Sequence, residues 1–245
     1  MVKTENIIIY SCIFNSYDKV QEPLFIEPNV SYYLFSDKII PNLKYWKLIL
    51  IDYTKLDLDP QKAARLIKLN PNNPGIYLNI AYCYGKINNY KKALEYSKKS
   101  IELDQRNLYG YVNLAFFFER NGENSEALVE LNKALEMDNN SDLVLNARAD
   151  LYRAIGEYEK AFNDIYKAIE INANEPLYFG TLAEILASDN KTDEFYFNLN
   201  IALSMGLSSN DMSTAKEVYE KFRNDERFNN ILKKHDIDID EIFRD

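Results

Sequence analysis

The side chains able to do chemistry are few in this chain and do not converge. The one histidine, His235, stands in the charged run KKHDIDID, and no serine or cysteine constellation can be built around it to serve as an activated nucleophile. In the same run Asp236, Asp238 and Asp240 alternate like the opening of a calcium loop. Glu241 occupies the place where that loop's sharp turn needs glycine, so the run reads as a solvated acidic tail and His235 as a surface residue. Cys12 and Cys83 are the only cysteines, too few and too far apart for a disulfide framework or a thiolate zinc site. A cytoplasmic, reducing location is the expectation they carry. No catalytic residue, metal ligand or resident cofactor is expected from these groups.

Charge excludes a further class. With 38 acidic and 29 basic residues the chain carries a net charge of −9, the wrong sign for gripping a phosphate backbone, so nucleic acid is not an expected partner. Hydrophobic residues at 47% and charged residues at 27% describe a folded chain, long enough to bury a sizeable core. The first apolar run, 7–14, is rich in β-branched residues, broken by Ser11 and followed by Asn15, Ser16, Tyr17 and Asp18. It reads as a buried strand rather than a signal core. No stretch approaches the roughly 20 apolar residues of a membrane helix, and no membrane partner is expected.

Two kinds of element must position these residues. Up to about residue 71 three short apolar runs, IIIYSCIF, SYYLFSD and YWKLILIDY, are separated by turn residues and predict three strands. The run DPQKAARLIKLNP follows, with Asp59 as N-cap, Pro60 in the first turn and Pro71 as the stop, and predicts a helix of about ten residues. Strands apolar on both faces suit a small α/β layer. Beyond Pro74 the period becomes helical and repeats. Ala81, Ala115 and Ala149 recur at a step of 34 residues, as do Ala93, Ala127 and Ala161, and Ser100, Ala134 and Ala168. Such a ladder of small residues predicts stacked helical hairpins over 74–107, 108–141 and 142–175, with a worn fourth over 176–209. Asn88 and Asn89, Gly122 and Gly156 mark the turn inside each hairpin, where one helix must end in a left-handed residue.

These residues resemble the tetratricopeptide repeat family. The likeness rests on Tyr77, Ala81, Tyr84, Tyr90, Ala93 and Ser100, on Tyr111, Leu114, Ala115, Phe118, Gly122, Ala127 and Ala134, and on Leu145, Ala149, Tyr152, Gly156, Tyr158, Ala161 and Ala168. It implies a mainly α fold, a right-handed superhelix of hairpins whose first helices line a groove for a protein or peptide. Carried onto this chain, the groove residues are Leu78, Tyr82 and Lys86, then Val112, Phe116 and Arg120, then Asn146, Asp150 and Arg153. The family's proline after each second helix is replaced by Gln105, Asn139 and Ala173, which predicts looser turns between repeats. In the fourth repeat Phe195 stands where a small residue belongs, as terminal repeats often depart from the pattern. Helical segments near 212–222 and 225–234 complete a cap. In the third repeat Arg148 replaces the Ile80 and Leu114 of its neighbours, and Asp164 lies across the hairpin in the family pattern, which predicts a partly buried ion pair.

A second resemblance concerns the N-terminal third. Tyr10, Ile13, Phe14, Tyr17 and Asp18, then Phe35, Ser36 and Asp37, then Trp46, Arg65, Lys68 and Pro71 resemble the opening of a glycosyltransferase family related to plant pectin-mucilage enzymes. The likeness implies a partial, Rossmann-like α/β unit over 1–72, ahead of the repeats over 73–209 and a helical cap with an acidic tail over 210–245. Contacts to a nucleotide sugar would fall to Tyr10, Phe14, Tyr17, Asp18, Asp37, Arg65 and Lys68. A UDP-sugar and Mn²⁺ would be the ligands, with Asp57 and Asp59 as the nearest carboxylates to hold the metal. The resemblance stops before the family's acidic metal-binding motif and its acceptor half. Two function classes therefore stand at this point: a protein-interaction scaffold or adaptor that binds a peptide or partner helix, and a glycosyltransferase-related protein whose repeats recruit a protein acceptor.

Overall fold

The structure, a computed structural model, describes residues 6–10, 30–36, 46–50 and 71–243. The chain divides into two compact units, Met1–Leu69 and Asn70–Asp245. In the first, strands β1 (Asn6–Tyr10), β2 (Val30–Ser36) and β3 (Trp46–Leu50) form a parallel sheet in that order. Ile8 lies opposite Tyr32, and Leu34 opposite Leu48. The strands fall within the three apolar runs. The helix expected near 59–70 lies outside the described residues.

The second unit is a helical hairpin array. Its long helices, among the described residues, are α1 (Pro74–Lys86), α2 (Tyr90–Leu103), α3 (Leu108–Arg120), α4 (Asn124–Met137), α5 (Asp142–Ala154), α6 (Tyr158–Ile171), α7 (Pro176–Ser188) and α8 (Thr192–Ser204). The first helices start where the sequence allows it. Asn73 precedes Pro74 and accepts the Gly75 N–H, Ser141 accepts from the Val144 N–H, and Glu175 precedes Pro176, so the free N–H groups of each first turn find acceptors. Helices pair within each hairpin, each second helix packs on the next first helix, and first helices touch in the series α1, α3, α5, α7.

The alanine ladder is where these helices cross. Ala81, Ala149 and Ala183 are wholly buried and Ala115 nearly so, and Ala93, Ala127, Ala161, Ala134, Ala168 and Ala202 are buried in the second helices. Ser100 keeps the ladder's register and places its hydroxyl on the Pro74 carbonyl at 2.9 Å, which answers a polar atom that would otherwise be buried without a partner. Close approach is stringent elsewhere too. A methyl added at Gly85 would come within 2.4 Å of the Phe117 ring.

The turns inside the hairpins keep the same step. Asn88, Gly122, Gly156 and Asn190 all adopt positive φ, between 57° and 81°, so the left-handed series extends into the fourth repeat. The turns between repeats correct the expectation of looseness. Asp104, Asp138 and Asn172, again 34 residues apart, accept the N–H two residues on, from Arg106, Asn140 and Asn174. This side-chain mimic of a turn holds the chain where the family pattern uses proline.

Phe195 has no exposure and stacks on Phe222 at 4.3 Å, with the rings of Tyr196, Tyr219 and Phe228 around it. The last hairpin thus replaces a small-residue crossing by an aromatic cluster. The segment 209–222 that supplies two of those rings is broken into α9 (Ser209–Met212), a 3₁₀ turn, α10 (Lys216–Tyr219) and a second 3₁₀ turn. Helix α11 (Glu226–Lys234) and the short α12 (Ile239–Ile242) follow. Asp236, Asp238 and Asp240 are exposed, as the tail reading requires. The tail is nonetheless anchored, because Ile242 is fully buried and Asp238 caps α12.

Candidate functional site

Because first helices repeat at 34 residues and touch one another, equivalent positions on α3, α5 and α7 form short columns. Phe116, Asp150 and Glu184 make one column; Val112, Asn146 and Gly180 make another. Of the residues expected in the groove, the structure gathers Val112, Phe116, Asn146 and Asp150 around a single cavity of about 260 Å³. Glu119, Leu177, Thr181 and Glu184 also line it, with Asp211 and Thr214 contributed by the 209–222 segment.

Arg120 and Arg153 stand beside the cavity and are both engaged. The Arg120 guanidinium lies 5.1 Å over the Phe116 ring and donates to the Thr214 carbonyl. Arg153, buried, donates to Asp150 at 2.8 Å and lies 3.6 Å from Glu217. Leu78 and Tyr82 are half-buried on α1, and Lys86 is exposed with its ammonium 5.3 Å over the Tyr82 ring. These three do not reach the cavity. Glu119, Thr181 and Glu184 went unread in the sequence, although the step of 34 that leads from Phe116 to Asp150 leads onward to Glu184, and from Glu119 to Arg153.

The electrostatics of the cavity are those of surplus carboxylates. Burial, and next the negative charge of Asp150, push the Glu184 carboxyl up to about 8, while Arg153 and the Tyr219 hydroxyl, which donates to it at 2.8 Å, pull the other way. Burial and then Asp150 likewise raise Glu119 to about 7, against the pull of Arg120 and Arg153. For Arg153 burial works against the charged form, yet Asp150, Glu184 and Glu217 more than offset it and the guanidinium is held more firmly protonated than usual. Burial and the neighbouring Glu184 raise the Tyr219 phenol well above its ordinary value.

The ion pair expected in the third repeat is present and closed. Arg148 gives two hydrogen bonds to Asp164, at 2.6 and 2.9 Å, and a third to Asn132 on α4 at 2.7 Å. This bidentate geometry matches the flat guanidinium to the carboxylate.

Of the residues the second resemblance assigns to a nucleotide sugar, Tyr10 ends β1. Phe14, Tyr17, Asp18, Asp37, Arg65 and Lys68, with Asp57 and Asp59, lie outside the described residues. Among the described residues no helix is long and apolar enough to cross a membrane.

Comparison with known proteins adds the family of the repeats. The tetratricopeptide repeat profile matches residues 74–107 and 144–175, the first and third hairpins. This chain carries tetratricopeptide repeats. Among solved structures, the tetratricopeptide repeat protein TTC0263 of Thermus thermophilus is 23% identical, covers 60% of this chain and 81% of its own, and superposes with a TM-score of 0.55. MamA is 22% identical over 64% of this chain and 96% of its own, with a TM-score of 0.47. YrrB, described as a tetratricopeptide repeat protein with an unusual peptide-binding site, is 19% identical over 75% of this chain and 97% of its own, with a TM-score of 0.44. The likeness to TTC0263 is one of fold. No curated protein matches the chain.

Proposed function

We propose that this tetratricopeptide repeat protein is an interaction scaffold that docks an extended polypeptide segment of a partner across α3, α5 and α7. The observation that carries the reading is the cavity itself. Three successive first helices and a distant segment wall it, and Phe116, 38% exposed, presents a large apolar ring beside it. Aromatic anchors next to a recess are the usual energetic centre of such interfaces. The bulk composition agrees, since a chain of net charge −9 is unsuited to nucleic acid.

The test is selection of a displayed library of random twelve-residue peptides on the full chain, followed by fluorescence anisotropy with the enriched sequences. Phe116→Ala is expected to weaken binding by at least tenfold while melting like the parent protein. An unenriched library, or enriched peptides that bind Phe116→Ala as tightly as the parent, would overturn the reading.

A further inference from the structure

We propose that the cavity between α3, α5, α7 and the 209–222 segment is a subsite for a lysine or arginine side chain of the docked polypeptide, an inference that rests on the docking reading above. Its lining contributes four carboxylates, Glu119, Asp150, Glu184 and Asp211, and no basic side chain. The two neighbouring guanidinium groups are committed elsewhere: Arg120 to the Thr214 carbonyl and the Phe116 ring, Arg153 to Asp150 and Glu217.

The carboxylates differ in how far the fold satisfies them. Asp211 is taken up by the N–H and hydroxyl of Ser208, at 3.0 and 2.6 Å. Glu184 receives one neutral phenol hydroxyl. What acts on Glu119 is burial and the charges of Asp150, Arg120, Arg153 and Glu217. A cation placed among them supplies the compensation that the chain itself leaves incomplete.

A second observation points to the same occupant. Asn146 lines the cavity with only 8% of its surface exposed, and its buried Oδ1 has no donor. A buried amide oxygen without a donor is costly, and an ammonium or guanidinium brings several N–H groups at once. Among the described residues no three carboxylates come close enough together to hold a metal ion. The acceptors are instead spread along the cavity, which suits a cation carried on a stem. Val112, Phe116 and Leu177 offer that stem an apolar wall. A volume of about 260 Å³ falls below the range usual for small-molecule sites, about 300 to 1,000 Å³, and holds one long side chain. The acidic balance of the whole chain favours a basic partner in the approach as well.

The experiment takes the peptides enriched in the display selection and replaces each lysine by norleucine, and each arginine by citrulline, one at a time. One such replacement is expected to weaken binding at least tenfold. The protein variant Glu119→Gln/Glu184→Gln is expected to lose the same factor for the parent peptide and to bind the uncharged peptide as the parent protein does, closing a double-mutant cycle. Where the double variant does not melt cooperatively, Glu119→Gln alone serves, because that residue is only half-buried. Enriched peptides without basic residues, or undiminished binding to the carboxamide variant, overturn the subsite. If Phe116→Ala weakens binding and the carboxamide change does not, the docking reading stands and the cationic subsite falls. If neither change weakens binding, both fall.

Discussion

Charge is buried twice in the repeat stack, and the two sites resolve it in opposite ways. Between α5 and α6, Arg148 and Asp164 close on each other with two hydrogen bonds, and Asn132 takes a third N–H. Those hydrogen bonds to Asp164 hold the Arg148 guanidinium protonated more firmly than usual, against its own desolvation. Between α3, α5 and α7, Glu119, Asp150 and Glu184 face a cavity with Arg153 as their buried cation. The first site balances its charge inside one hairpin and leaves nothing for a partner. The second keeps a surplus of carboxylates that burial alone makes hard to ionise. Compensation within the chain marks a structural site; surplus beside a cavity marks one that an outside cation can complete.

The largest expected effect breaks the closed site. Asp164→Ala leaves the Arg148 guanidinium half-buried without its carboxylate, and the cost is expected at about 3 to 5 kcal/mol by chemical denaturation. Replacing both partners, as Arg148→Met with Asp164→Leu, is expected to recover most of that loss, since the desolvated charge goes with its partner. A loss within measurement error for Asp164→Ala would mean that the pair is solvated, and the contrast between the two sites would disappear.

The open site is expected to respond with the opposite sign. The Glu184 carboxyl stands at about 8 in the folded protein, against roughly 4.3 for an ordinary glutamate. Between those values the folded state holds a proton that the unfolded state has released. Its contribution to stability is therefore complete below the lower value and is lost as pH rises through the upper one. Glu119, at about 7, acts in the same direction over a lower window. Glu184→Gln keeps the Tyr219 hydroxyl supplied with an acceptor and removes the charge. It is expected to stabilise the protein by on the order of 1 kcal/mol at pH 8 to 9, with little effect near pH 5. Melting curves across that range check both the sign and the flattened slope. A destabilised Glu184→Gln at high pH would place a sufficient counter-charge on Glu184 already.

The smallest expected effect sharpens the same contrast through screening. Added salt weakens repulsion among partly exposed charges and leaves short, buried pairs nearly untouched. At pH 8 the parent protein is expected to gain a degree or two in Tm as NaCl rises toward about 0.5 M, where the Debye length has fallen well below its value of about 10 Å at 0.1 M. Glu184→Gln is expected to gain less. Equal gains would assign the salt response to other charges.

Much of this molecule was legible because its instructions repeat. Ala115 and Ala149 could be placed at helix crossings from their spacing alone, and Arg148 could be matched with Asp164 because an odd residue in a regular register needs a partner within its own hairpin. The turn residues Asp104, Asp138 and Asn172 keep the same step, yet they were passed over because proline is the expected signal there and an Asx turn achieves the same end by a side-chain hydrogen bond. Phe195 could be read as a departure from the ladder. What the departure accomplishes, an aromatic cluster with Phe222 and Phe228, depends on rings nearly thirty residues further along the chain. Glu184 was within reach of the same arithmetic as Asp150 and went unread because the fourth hairpin departs from the family pattern.

The chain by itself determined the helical hairpins, the faces on which their small residues meet and the closed ion pair, since each is a local property that a period of 34 transmits from one repeat to the next. Only the tertiary structure decided that the first helices enclose a carboxylate-lined cavity. That cavity exists because the broken 209–222 segment brings Thr214 to Arg120 and Tyr219 to Glu184, pairs 94 and 35 residues apart. A contact between inequivalent positions has no period to announce it. How far a carboxyl resists ionisation there follows from how much water the assembled helices exclude, which no stretch of sequence specifies alone.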